Sequence, residues 1–226
     1  MTKRQAAVDI VFAIVLVPVS SLIAGVLTAL FTSKPTLAPT VLIQALLSLA
    51  GVNAVLAWRG QTFREIGFRR PRVEDIGRGL VVLFAGFAVN AALTLTVYNL
   101  RPAALRSHLS ELQSVAGSLT EGVPLAAVLA LLLLVGIYEE IVARGLLLTR
   151  SRQLFGGTWA PVLFSSALFG LGHFYQGVFG VVQTAIFGAV LATLVLRWGT
   201  LWPAIIAHSA VNMLSVVELD KLNLPT

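Results

Sequence analysis

Cysteine is absent from this sequence, and charged residues make up only 12% of its 226 positions. Without cysteine the chain has no disulfide, no catalytic thiolate and no thiolate ligand for a metal. The charged fraction is about half of that in a typical soluble domain, whereas 57% of the residues are hydrophobic. The composition therefore predicts an all-α fold, a polytopic helical bundle that spans a membrane.

Acidic residues are the scarcer of the two charged types, since 10 Asp and Glu stand against 16 Lys and Arg and give a net charge of +6. In a soluble protein this excess would suggest a nucleic-acid partner. In a membrane protein, basic residues gather in cytoplasmic loops next to anionic lipid. We therefore expect membrane lipids, and no nucleic acid, among the partners.

Seven apolar runs approach the length of about 20 residues that a helix needs to cross the hydrocarbon core. Residues 99–121 have leucines at helical spacing among charged residues, which predicts an amphipathic interfacial helix. His108 is interpreted as a solvated loop residue. The first run lacks the pattern of a cleaved signal peptide and is predicted to be retained, with a turn at Thr32–Thr36 after it. The whole chain, 1–226, is predicted to be one membrane domain, with N-terminal spans in 1–98 and a core bearing the polar motifs in 120–217. The predicted spans are residues 8–31, 38–58, 79–98, 123–149, 159–174, 178–196 and 201–217.

The distribution of basic residues predicts the orientation in the membrane. With a cytoplasmic N-terminus, the seven spans place eleven Lys and Arg on the cytoplasmic side and four on the other, with Arg144 inside the membrane. The positive-inside rule thus predicts a multi-pass protein with its N-terminus in the cytoplasm and residues 218–220 outside. The expected location is a bacterial or archaeal cell membrane. The basic loop predicted at 59–78, taken as a topology determinant in contact with lipid, contains Arg59, Arg64, Arg69, Arg70, Arg72 and Arg78.

The fourth span carries three charged residues, Glu139, Glu140 and Arg144, within a run of leucine, isoleucine and valine. A charge at the bilayer centre costs at least ~2.5–3.5 kcal/mol, so such residues indicate a functional site. Glu140 and Arg144 are four residues apart with the acid first, the favourable order for an ion pair on one helix face. Glu139 points about 100° away and can face a different partner.

Three more polar residues, His173, His208 and Asn212, lie in the fifth and seventh spans. At about 1.5 Å per residue, the carboxylates lie ~12–15 Å deep, His173 ~18–20 Å, and His208 and Asn212 ~10–17 Å. Because these depths overlap near the midplane, we predict that the residues form one composite site. Further candidates for the lining of its cavity are Tyr138, Tyr175 and Gln176.

These residue types suit hydrolysis of an amide bond without a nucleophilic side chain. A carboxylate and a neutral imidazole on two sides of a water molecule can deprotonate it, and a second imidazole with an amide N–H can donate to an oxyanion. Alternatively, Glu139, His173 and His208 could hold a divalent metal such as zinc with one open position. Midplane carboxylates and histidines also suit a proton-coupled transporter or a membrane scaffold, although no inverted repeat is present.

Three motifs in this order resemble the CPBP family, which includes the Rce1-type CAAX prenyl proteases and the bacterial Abi proteins. The motifs are Glu139-Glu140-x-x-x-Arg144, Phe169-x-x-x-His173 and His208-x-x-x-Asn212, and the resemblance covers residues 120–215. It implies an intramembrane endopeptidase with a peptide or protein substrate, which can be lipidated. The motifs of other intramembrane proteases, His-Glu-x-x-His, Gly-x-Ser-Gly and Gly-x-Gly-Asp, are absent.

The resemblance also implies a role for each motif residue. Although family members are often labelled metalloproteases, the archaeal Rce1-like members look like metal-independent glutamate proteases, which favours a site without a cofactor. Peptide or prenyl-protein processing and bacteriocin self-immunity are the physiological roles implied by relatives. The implied residue roles are water activation by Glu139 and His173, oxyanion stabilisation by His208 and Asn212, and support of the site by Glu140 and Arg144.

Overall fold

The computed structural model describes residues 1–31 and 36–221, the last two through their backbone only. Apart from its turns this part of the chain is helical and contains no strand, which confirms the all-α prediction. The predicted turn at Thr32–Thr36 lies outside the described residues except for Thr36, and the predicted outer tail at 218–220 belongs to the end of the last helix. The helices are α1 (Lys3–Phe31), α2 (Leu37–Trp58), α3 (Val73–Leu100), α4 (Pro102–Thr120), α5 (Leu125–Glu140), a π-helical segment (Ile141–Leu147), α6 (Leu148–Phe155), α7 (Trp159–Leu171), a 3-10 turn (Phe174–Gln176), α8 (Gly177–Trp198) and α9 (Trp202–Lys221).

Six helical segments of the described chain are long and apolar enough to cross a membrane, and α5, the π-helical segment and α6 together form one of them. The polytopic bundle is thereby confirmed. The predicted span at 159–174 is instead the short helix α7, whose 13 residues extend about 20 Å, less than the hydrocarbon core of about 30 Å. The chain then turns through His173 and Gly177 into α8, and Gly177 adopts a positive φ of 74° there.

α7 and α8 form a tightly packed helical hairpin. Gly170 lies against α8 so closely that a Cβ atom at this position would be 2.5 Å from the carbonyl oxygen of Val181. Glycine is required for this approach because any side chain would push the two helices apart. The hairpin therefore fixes the position of the turn that carries His173.

α4 is the predicted amphipathic helix, and it packs against α3, α8 and α9. Its His108 is only 4% exposed, with Nδ1 2.9 Å from the backbone oxygen of Gln176 and its ring edge-on to Phe179. The prediction that His108 is a solvated loop residue is therefore wrong, because it lies within α4 and is buried. The reason is that the turn between α7 and α8 packs onto α4 and covers the ring.

The basic loop is shorter than predicted, because α3 begins at Val73 rather than at residue 79. The backbone N–H of Arg72 donates to Asp75 Oδ2 at 2.9 Å, which satisfies a donor at the helix start. The loop docks beneath the polar span: Ile66 is 1% exposed, and a Cβ at Gly145 would lie 3.0 Å from its Cδ1. The loop at residues 59–72 thus packs against the π-helical segment in addition to carrying positive charges.

The main apolar core lies between α2, α5, the π-helical segment, α8 and α9, and includes Val52, Leu146, Leu191 and Ile205. Within it α5 and α9 approach each other closely at Gly136, where an added Cβ would collide with the hydroxyl of Ser209. Because Ser209 follows His208 in the chain, this contact brings the histidine toward the carboxylates at the end of α5.

A second polar cluster, which the sequence analysis did not predict, joins the ends of α1, α2 and α6. Asp9 is fully buried and accepts hydrogen bonds from Nε and Nη2 of Arg59 at 3.0 and 2.7 Å. Its other oxygen accepts from Nε of Arg150 at 2.8 Å. Two of the basic residues assigned to the membrane surface are thus buried in ion pairs with one carboxylate. The only sequence signal was an acid near the start of the first apolar run.

Asp9→Asn is expected to lower the thermal midpoint of unfolding in detergent, because a neutral amide cannot compensate two guanidinium charges that are largely buried. Removing one partner of a buried ion pair costs roughly 3–5 kcal/mol. Glu74→Gln is the control, since the Glu74 side chain is 63% exposed and such pairs contribute little. Equal midpoints for the two variants would contradict a structural role for Asp9.

Candidate active site

The carboxylates lie where the regular helix α5 changes into the π-helical segment. Glu139 and Glu140 are the last residues of α5, and Arg144 lies in the segment that follows. π-helical turns are rare and are often found at functional sites. Here the wider turn follows the two carboxylates directly and contains their basic partner.

Glu140 and Arg144 form the predicted ion pair, and both side chains are buried. Arg144 Nη1 donates to Glu140 Oε1 at 2.8 Å, with side-chain exposures of 1% and 0%. The guanidinium also lies 3.9 Å from the centre of the Phe169 ring, a favourable cation–π geometry. On α8, Gly188 leaves the necessary room, since a Cβ there would lie 2.8 Å from Arg144 Nη2.

Glu139 faces a different set of groups. Its Oε1 accepts a hydrogen bond from the hydroxyl of Tyr138 at 3.1 Å. Its Oε2 is buried without a hydrogen-bond partner in the described part of the chain. This oxygen lies 3.6 Å from Nε2 of His208 and 3.8 Å from Nε2 of His173, beyond a normal hydrogen bond in each case.

His173 is held in one orientation by the end of α7. Its Nδ1 lies 2.9 Å from the backbone oxygen of Phe169. A carbonyl oxygen only accepts, so Nδ1 carries the proton and donates to it. In the neutral ring Nε2 is then the acceptor, and this atom faces Glu139. The ring is also within 5.8 Å of Tyr175, measured between centroids.

His208 lies between the two carboxylates. Its Nδ1 is 2.8 Å from Glu140 Oε1, while its Nε2 faces Glu139 Oε2. Phe169 and Phe187 border the ring edge-on, with centroids 5.8 and 6.2 Å away. α9 therefore adds an imidazole that contacts both acids of α5.

Asn212 makes no hydrogen bond or ion pair with the other predicted site residues in the part of the chain that the structure describes. It lies one helical turn after His208 on α9 and is partly buried. The structure thus brings together five of the predicted residues: Glu139, Glu140, Arg144, His173 and His208. Asn212 lies on α9 with His208, one helical turn further along.

Several groups support the site beyond the six predicted residues. Tyr138, predicted only as a lining residue, donates to Glu139 and is 4% exposed. Gln44 on α2 lies within 3.4 Å of the Tyr138 hydroxyl through its Nε2. Gln44 was not among the predicted site residues, although an amide in an otherwise apolar span was a detectable signal. Gln176 contacts Tyr175 through its side chain and His108 through its backbone.

The alternative of a metal site can be compared with this geometry. In residues 1–31 and 36–221 no group of three His, Cys, Asp or Glu side chains is arranged to hold a metal ion. Glu139, His173 and His208 nevertheless converge around one carboxylate oxygen, and carboxylate and imidazole are ligand types that zinc accepts. Glu139, His173 and His208 are therefore the candidate ligands if a metal is bound.

The fold and this cluster define a polytopic helical membrane protein with a buried carboxylate–histidine site. The model of the family described as type II CAAX prenyl endopeptidase Rce1-like matches residues 121–214. This match confirms the resemblance found in the sequence: residues 121–214 are similar to the Rce1-like family, a family of proteases. The matched segment runs from Glu121, just before α5, into α9 and contains all six predicted site residues. No curated protein and no solved structure matches the chain.

Proposed function

We propose that this protein is an intramembrane endopeptidase in which Glu139 and His173 activate a water molecule for attack on a peptide bond. The observation that carries this proposal is the free Oε2 atom of Glu139. It is buried and faces Nε2 of His173 at 3.8 Å, and it has no hydrogen-bond partner among the described residues. A carboxylate and a neutral imidazole nitrogen are both acceptors, so a water molecule can donate a hydrogen bond to each of them.

The proposed reaction begins when this water loses a proton to Glu139 or His173 and its oxygen attacks the carbonyl carbon. The resulting oxyanion is stabilised by His208 and the amide of Asn212. The intermediate then collapses, the C–N bond breaks, and the departing amine takes the proton held by the base. No covalent intermediate with the protein is formed.

His208 can donate to the oxyanion through Nε2 only if its pair with Glu140 holds an additional proton. Because Nδ1 lies 2.8 Å from Glu140 Oε1, two forms satisfy this condition. Either the imidazole is doubly protonated beside a carboxylate, or a protonated Glu140 donates to Nδ1 of a neutral ring. Both forms contain the same number of protons, so the proposed reaction requires a protonated His208–Glu140 pair.

Tyr138 and Gln44 are proposed to orient the base. The Tyr138 hydroxyl donates to Oε1 of Glu139 at 3.1 Å, and Gln44 Nε2 lies 3.4 Å from that hydroxyl. Because Oε1 is engaged in this way, Oε2 is the oxygen directed at the two imidazoles. The oxygen that takes the proton from water is thus defined by groups on α2 and α5.

The proposed substrate is a peptide or protein at the membrane, and the family description makes a prenylated C-terminal peptide the first candidate. The proposed setting is a bacterial or archaeal cell membrane with the N-terminus in the cytoplasm, in keeping with the charge distribution. Processing of peptides or prenylated proteins and bacteriocin self-immunity are the physiological roles that this activity would serve.

The proposal is tested with purified protein in proteoliposomes and fluorogenic peptides, each offered with and without a prenyl group. His173→Ala is expected to lower cleavage by roughly 10²–10⁴-fold, the contribution of one acid–base group. Its thermal midpoint is measured alongside, so that loss of folding is separated from loss of chemistry. Unchanged cleavage in a folded His173→Ala variant would overturn the mechanism. Proton or solute flux without cleavage of any peptide would support the transporter alternative.

Metal dependence is tested by incubating the active protein with a strong chelator and by elemental analysis. The proposed mechanism uses only side chains, so cleavage is expected to persist in chelator at the wild-type rate. Loss of cleavage that is restored by added zinc, with about one equivalent of zinc per chain, would instead assign Glu139, His173 and His208 as its ligands.

A further inference from the structure

The buried cluster at the ends of α1, α2 and α6 contains more positive than negative charge. One carboxylate, Asp9, is paired with both Arg59 and Arg150. No second carboxylate pairs with either arginine in the part of the chain that the structure describes. The Arg150 side chain is 1% exposed and that of Arg59 is 10% exposed, so water screens this excess charge only weakly.

Two sets of N–H donors in the cluster remain available. The contacts of Arg59 with Asp9 and with the backbone of Gln5 use its Nε and Nη2 atoms, which leaves Nη1. Gln61 accepts a hydrogen bond from Arg150 Nη2 through Oε1. Because arginine only donates, this contact fixes the orientation of the Gln61 amide. Its NH₂ group is therefore directed away from Arg150 and is free to donate elsewhere.

Both donor-bearing residues line one cavity of about 310 Å³, together with Met1, Gln5 and Trp58. The Trp58 ring lies 4.1 Å from the guanidinium carbon of Arg59 and is 69% exposed. An exposed tryptophan at the end of a spanning helix is typical of the level of lipid headgroups. Val8 and Val11 of α1, close to Asp9 in the chain, are 46% and 61% exposed, so α1 has an apolar surface at this level.

We infer that this cavity binds the phosphate group of an anionic membrane lipid. The uncompensated positive charge attracts the phosphate, while Arg59 Nη1 and the Gln61 amide supply hydrogen bonds to its oxygens. The lipid then adds the negative charge that Asp9 alone does not provide. The site lies outside residues 121–214 except for Arg150, and it is independent of the proposed peptidase chemistry.

Gln61→Glu is the variant that tests the site. A carboxylate at this position still accepts from Arg150, so the protein cluster keeps its hydrogen bond and gains a counter-charge. At the same time, the amide donor is replaced by a negatively charged oxygen that repels phosphate. Arg70→Gln is the matched control, because it changes the net charge equally and on the same loop, but at an exposed residue that does not line the cavity.

The measurement is the thermal midpoint of the purified full-length chain in nanodiscs of phosphatidylcholine alone or with phosphatidylglycerol. Phosphatidylglycerol is expected to raise the midpoint of the wild type and of Arg70→Gln by several degrees, and to leave that of Gln61→Glu unchanged. Each shift is the difference between the midpoints of the same variant in the two lipid compositions. A change in the intrinsic stability of a variant therefore does not affect the comparison. Lipid phosphorus retained by the wild type after delipidation gives a second readout that needs no variant.

Inorganic phosphate at millimolar concentration is added to phosphatidylcholine nanodiscs as a separate arm. No shift is expected there, because a free anion lacks the acyl chains. A phosphate-dependent shift that Gln61→Glu removes would support the phosphate site and assign it to a soluble anion. Equal midpoints in both lipids, or a full phosphatidylglycerol shift in Gln61→Glu, would overturn the inference.

Discussion

Glu139→Gln is expected to abolish peptide cleavage while leaving the thermal midpoint close to that of the wild type. The glutamine oxygen can still accept the hydrogen bond from Tyr138, so the side chain keeps its orientation. Its NH₂ group, however, replaces the oxygen that faces His173 and His208 and cannot take a proton from water. We expect a loss of roughly 10²–10⁴-fold in kcat/KM, as for removal of a general base.

Stability is expected to persist in this variant because the Glu139 side chain is 18% exposed and, among the described residues, its only basic partners within 4 Å are the two imidazoles. Glu121→Gln, at an exposed position within the same matched segment, is the control for removing a carboxylate. Cleavage by Glu139→Gln within tenfold of the wild-type rate would exclude Glu139 as the base. A loss of cleavage accompanied by unfolding would show that its role is structural.

Glu140→Gln is expected to destabilise the folded protein strongly, and by more than Glu139→Gln. Glu140 is the carboxylate that pairs with Arg144 in the described chain, and both side chains are at most 1% exposed. A neutral amide leaves the guanidinium charge buried without compensation, which costs roughly 3–5 kcal/mol. Denaturation midpoints in detergent measure the difference between the two variants.

A double variant separates charge burial from other effects of the substitution. Adding Arg144→Met to Glu140→Gln removes the unpaired guanidinium, so the double variant is expected to be more stable than Glu140→Gln alone. Equal midpoints for Glu139→Gln and Glu140→Gln would contradict the division of roles between the two acids. Greater instability of the double variant would show that Arg144 is stabilised chiefly by Phe169.

Much of the fold follows from the sequence because a spanning helix must be long, apolar and hydrogen-bonded within itself. The predicted span at 38–58 and the observed helix Leu37–Trp58 differ by one residue at one end. The end of α7 was more difficult to predict, because the apolar run continues past Leu171 while the backbone turns at Gly172 and His173. The turn is determined by packing against α4 and α8, which hydropathy does not report.

The convergence of the site was predictable for a similar reason. Spans of known direction place their residues at calculable depths, so the two carboxylates and two histidines could be assigned to one level before any contact was known. Their pairing could be predicted only within one helix, as for Glu140 and Arg144. The contact of His208 with Glu140 depends on the approach of α9 to α5 at Gly136, which is a property of the packed bundle.

The sequence by itself indicated the membrane class, most of the helical segments, the resemblance to the Rce1-like family and the candidate residues of the site, because each depends on local hydrophobicity, on helical spacing or on short motifs. The tertiary structure decided which carboxylate oxygen is free, which tautomer His173 adopts, and that Asp9 pairs with both Arg59 and Arg150. These features depend on contacts between residues as far apart as Asp9 and Arg150. Such contacts arise only when helices pack at defined distances, and no local pattern in the chain specifies them.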